Sequence, residues 1–142
     1  MIAITALATG LLAALLGSRL LAIWLRRGGN SPGRSHIRRP VIYGHLAIGL
    51  AGLALWIACL ASGTPTWLAW TVCAVILVAS NIGAAMFIPW WRRRRKAATI
   101  TRGTATALPA ERHFPLPAVI VHGVLADVTL VLVLLTALGV GG

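Results

Sequence analysis

Four apolar stretches, about 2–25, 41–61, 67–90 and 118–139, decide what this chain can fold into. At 1.5 Å of rise per residue, each spans the roughly 30 Å of hydrocarbon in a bilayer. Their apolarity is continuous and does not alternate. That selects helices over barrel strands, because lipid offers no partner to an open backbone group. A water-facing shell is out of reach: 11% of residues are charged, against about 25% in a soluble domain. The 142 residues hold a single membrane domain with short connections, too short for a soluble catalytic domain. An all-α integral membrane protein is expected, packed as a four-transmembrane-helix bundle.

Arginine and lysine orient it. The loop at 26–40 holds Arg26, Arg27, Arg34, Arg38 and Arg39, and the loop at 91–117 holds Arg92 to Arg95, Lys96, Arg102 and Arg112. The two ends and the turn at 62–66 hold none, and Arg19 lies inside the first span. The positive-inside rule makes both loops cytoplasmic and both termini external, in the cell membrane. The first stretch lacks the basic leading region of a cleaved signal. Trp24, Trp67, Trp90 and Trp91 fall where interfacial rings prefer to lie. The run Arg92–Lys96 needs only this topology, with the bilayer and its anionic lipids as partners. Nucleic acid is not expected, since interleaved aromatics and a recognisable binding fold are absent.

Several chemistries are excluded. Glu111 and Asp127 are the only acids, too few for a carboxylate metal cage or most two-carboxylate hydrolases. Cys59 and Cys73 make no disulfide framework; they flank the outer hairpin, and small apolar packing is favoured over a bridge. Nucleotide-binding, nucleophile-elbow and zinc-protease fingerprints do not occur. Lys96, the sole lysine, lies in a loop, which excludes a retinal Schiff base within the bundle. Whether the protein is an enzyme stays open.

One repeat contains every histidine. His36 to His45 and His113 to His122 both read H-x3-P-x4-H and each leads into a span. Ile23-Trp24-Leu25-Arg26-Arg27 and Pro89-Trp90-Trp91-Arg92-Arg93 close the preceding spans alike. The two echoes have different offsets, so the second loop is longer by insertion. The expected architecture is two helical hairpins of the same orientation, a parallel repeat. Pro40 and Pro117 suit a first helical turn. His45 and His122, five residues further, then lie about 7.5 Å down equivalent helices, at one depth. Small residues follow on the same faces: Gly49 and Gly52 after His45, Ala126 and Thr129 after His122. They leave space between the second and fourth spans for close contact or for a flat ligand.

A b-type haem needs two axial imidazoles, a narrow apolar slot and cations near its propionates. His45 and His122 are the expected axial ligands, with Arg38, Arg39 and Arg112 on the propionate side. On these residues the chain resembles, as a class, small four-helix membrane b-type cytochromes. The resemblance implies electron transfer with quinol or within a larger membrane redox complex. Copper or zinc on the same imidazoles, joined by His36 and His113, is the alternative cofactor. It ranks lower because arginines flank the loop histidines. A structural histidine pair with no cofactor is the third option.

Asp127 sits near the middle of the fourth span, with Ser80, Asn81 or Arg19 as candidate partners, in a proton path or as a fixer of helix register. Arg19 alone can snorkel to the headgroups. Gly10 and Gly17 read as a close-packing stripe. Besides the redox protein, two further functions are carried: a non-catalytic accessory or assembly subunit of a larger membrane complex, and a small proton-coupled transporter using Asp127. The partner, or a homo-oligomer, is not specified by the residues.

Overall fold

The computed structural model describes residues 1–99 and 108–140, with 97–99 described through their backbone alone. Arg102, counted above in the second basic loop, lies outside the described residues. The helices are α1 (Ile2–Arg26), α2 (Arg39–Ala61), α3 (Thr66–Thr99) and α4 (Leu116–Ala137), with a 3-10 turn at Ala110–His113 before α4. All four are long and apolar enough to cross a membrane. Pro40 and Pro117 occupy the first turns of α2 and α4, where the missing N–H has no intrahelical partner to disappoint.

One boundary differs from expectation. α3 does not stop near Trp90 but continues through Pro89 and the arginine run to Thr99. Pro89 has no N–H for the carbonyl of Ala85. Aromatic and cationic contacts line the turn beyond it: Phe87 lies near Trp90 and Trp91, and Arg94 and Arg95 sit over the two indoles at 5.4 and 5.3 Å.

α1 packs against α4 and α2, and α3 against α2 and α4. The bundle is therefore square, with α2 and α4 on one diagonal and α1 and α3 on the other. At one end the tight turn after α2 uses Gly63 and Thr64 at positive φ, and the Thr64 N–H donates to the Cys59 carbonyl at 2.9 Å. Near this end the core gathers Ala6, Trp56, Cys59, Ala69, Val72, Cys73, Val133 and Ala137. Both cysteines are free.

The opposite end is closed by polar contacts. Trp24 is fully buried and its Nε1–H donates to Ser35 Oγ at 3.0 Å. Ser35 Oγ–H in turn donates to Glu111 Oε2 at 2.8 Å, and the Trp90 Nε1–H reaches the Glu111 carbonyl at 2.9 Å. Gly29 lies so close to the Trp24 indole that any side chain there would collide with it. These two tryptophans thus stand inside the bundle as seats for the loops. Trp67, by contrast, is 70% exposed.

Candidate functional site

His45 and His122 meet across the α2–α4 diagonal that the sequence pointed to, six residues into each helix and half-buried. Their ring centroids are 6.1 Å apart and their planes cross at 83°. His45 Nδ1–H donates to the Ala79 carbonyl of α3 at 3.0 Å. His122 Nδ1–H donates to the Ala13 carbonyl of α1 at 2.9 Å. A carbonyl only accepts, so the proton of each neutral ring sits on Nδ1 and Nε2 keeps a free lone pair.

Each ring also rests on a glycine one turn beyond its carbonyl. A Cβ at Gly83 would lie 3.2 Å from His45 Cε1, and one at Gly17 would lie 3.0 Å from His122 Cε1. Even a methyl at either place would require the imidazole to shift by a few tenths of an ångström. Ala13, Gly17 and Trp24 on α1 have the same spacing as Ala79, Gly83 and Trp90 on α3. The two imidazole seats are therefore built from matching residues. Gly17 was singled out for close packing; Gly83 was missed. Its signal was the A-x3-G-x6-W spacing that α1 and α3 share.

The small residues below the histidines do other work than line a slot between α2 and α4. Gly52 faces α3, where its Cβ position is 3.1 Å from Ile76 Cγ1. Thr129 faces α1, its hydroxyl donating to the Leu125 carbonyl at 2.7 Å and lying 2.8 Å from Thr9 Oγ1. Gly49 is exposed, with nothing within 4 Å of where a Cβ would be.

The remaining candidates disperse. His36 is taken by Glu111: its backbone N–H donates to Oε1 at 2.8 Å and its Nδ1–H to the same oxygen at 3.1 Å. His113 Nδ1–H donates to its own turn, to the Ala110 carbonyl at 3.3 Å. Among the described residues no group of three or more His, Cys, Asp or Glu gathers to hold a metal ion. Arg38 and Arg112 line one cleft at the loop end, whereas Arg39 Nη1–H donates to the Asn30 carbonyl at 3.2 Å. Asp127, Asn81 and Arg19 are all exposed on the outside of the bundle. Asn81 Nδ2–H donates within its own helix, to Leu77 at 2.8 Å. Asp127 pairs with none of its suggested partners, and Ser80 Oγ is buried without one.

The buried carboxylate of Glu111 went unnoticed in the sequence, where it is one acid in an arginine-rich loop. It is 4% exposed and ties the loop after α1 to the turn before α4. No family model, curated protein or solved structure matches this chain.

Proposed function

We propose that this is an integral membrane protein of four spans, with cytoplasmic basic loops and external termini, whose paired imidazoles hold one b-type haem for electron transfer. One observation carries the reading: both half-buried rings give Nδ1–H to a backbone carbonyl, and among the described residues neither Nε2 has a hydrogen-bond partner. Metal-binding histidines characteristically donate the other ring nitrogen in this way. The two rings lie close together, with centroids 6.1 Å apart, so His45 and His122 would be the residues that hold the group.

The ligand count favours haem over copper or zinc. Zinc sites take three or four protein ligands, whereas a porphyrin supplies four nitrogens and asks the protein for two. Bound haem would supply reversible one-electron chemistry. The carbonyls of Ala13 and Ala79 would fix both ring tautomers, and the glycines would fix ring position. The Trp24–Ser35–Glu111 closure and the apolar core at the other end would limit water. The matching seats are what a duplicated hairpin would produce, which supports the parallel repeat.

The test is the optical spectrum of detergent-purified protein. Sharp reduced α-bands are expected, lost in both His45→Ala and His122→Ala while helical content is kept. A colourless, haem-free preparation from haem-replete cells overturns the reading.

The accessory-subunit reading has support of its own. Arg19, Asn81 and Asp127 face outward from apolar helices, where lipid alone would leave polar groups poorly served. Co-purification of a larger membrane partner, with tolerance of histidine replacement, would favour it.

A further inference from the structure

A cleft of about 650 Å³ opens at the loop end between α2, α3 and the turn before α4. Four guanidiniums line it, Arg38, Arg93, Arg94 and Arg112; Arg94 is already engaged, over the Trp90 ring and donating to the Phe114 carbonyl. Among the described residues none of the other three side chains makes a hydrogen bond or ion pair. Nor can the chain's own acids neutralise them. Glu111 lines the same cleft, but its Oε2 accepts from Ser35 and its Oε1 from His36. Asp127, the only other acid, sits mid-helix on the outside of α4. Below the arginines the wall turns apolar, with Val41 one turn beyond Arg38, and Ala85 and Met86 about two turns from Arg93, toward the imidazoles.

Cations above and hydrocarbon below match an amphiphile with an anionic head. We propose that this cleft is a specific site for an anionic phospholipid, its phosphate held by Arg38, Arg93 and Arg112 and its chain lying beside α2 and α3. Guanidiniums bind phosphate oxygens in charge-assisted, often bidentate geometry. A generally basic loop attracts anionic membrane surface without a fixed place; here cations from separate segments line one cavity. The second loop-end cleft, lined by Arg26, Arg27, Gly28, Arg34, Leu108 and His113, has Leu108 as its one apolar side chain. The assignment does not rest on the haem reading, and its failure leaves the visible spectrum as it was.

Native mass spectrometry of the detergent-released full chain tests it, with phosphatidylglycerol, phosphatidylcholine and inorganic phosphate as probes. Retention of phosphatidylglycerol over phosphatidylcholine is expected, reduced at least fivefold in R93Q/R112Q and unchanged in R39Q/R92Q, which removes equal charge outside the cleft. Ala85→Phe, at an exposed position on the apolar wall, fills the cleft with all charges kept and also loses the adduct. Equal loss in both double variants overturns the proposal, as does equal retention of phosphatidylcholine. Displacement of the lipid by millimolar inorganic phosphate assigns the site to a soluble anion and overturns it as well.

Discussion

Gly17 leaves open the space that the His122 imidazole fills: a Cβ on Gly17 would stand 3.0 Å from Cε1 of that ring. The ring cannot retreat from α1 freely, because its Nδ1–H is bonded to the Ala13 carbonyl one turn away on the same helix. Replacing Gly17 by Val therefore has to break that hydrogen bond or part α1 from α4. Overpacking of this kind costs about 1–3 kcal/mol. Gly17→Val is expected to lower thermal stability and, on the proposed haem reading, to prevent haem binding, with Gly83→Val doing the same at His45. Gly83→Ala, with a slightly longer contact of 3.2 Å, should keep part of the signal. Absorbance per mole of folded protein is the measurement, and full haem content in both valine variants would count against the seat.

Glu111 is expected to hold the two loops together more than any other side chain. It accepts from Ser35 Oγ, from the His36 backbone and from His36 Nδ1. Removing a buried charged acceptor costs about 1.5–3 kcal/mol. Glu111→Ala should lower the unfolding temperature in detergent and open the segment around Arg34 and Arg38 to trypsin. Glu111→Gln keeps an acceptor of similar size and should lose less. Unchanged trypsin resistance in Glu111→Ala would show that the loops close without it.

The helices and the meeting of His45 with His122 were legible because each follows from a strong local signal. Long apolar runs define spans, and H-x3-P-x4-H sets both histidines at one depth. What the sequence hid was rotation about each helix axis. Gly49, Gly52, Ala126 and Thr129 share a side with their histidine by helical period. Yet Gly52 turned out to serve α3 and Thr129 to serve α1, because in a square bundle each helix presents two packed sides. The end of α3 was hidden for another reason: proline usually ends a helix, but Pro89 is carried through with indoles and guanidiniums packed around it. The pairing of Glu111 with Ser35 and His36 joins residues 75 and 76 positions apart, a separation with no periodic signature.

The contrast between Gly49 and Gly52 gives a direct check on that rotation. Gly52 is buried against Ile76 and Val75, whereas Gly49 has open space around it. Gly52→Leu should destabilise the bundle by the overpacking cost of about 1–3 kcal/mol. Gly49→Ala should be neutral or slightly stabilising, since alanine exceeds glycine in helix propensity by up to about 1 kcal/mol. Thermal unfolding of both proteins measures the difference. Equal destabilisation would place Gly49 inside the bundle after all.

Asp127 provides the last prediction, because its position separates two roles. Two residues before the buried Thr129, it is turned away from α1 and lies exposed on the outer side of α4. A proton path through the bundle would need it on the inner side, near the paired imidazoles. In lipid an acid at a helix centre costs about 2.5–3.5 kcal/mol on insertion scales, so Asp127→Leu should raise the stability of the isolated protein or leave it unchanged. On the haem proposal, the visible spectrum should not move. If Asp127 instead docks a partner, the same variant should lose the larger complex on native gels while the monomer stays folded. Loss of the haem bands in Asp127→Leu would tie this residue to the imidazoles and contradict its placement on the outside.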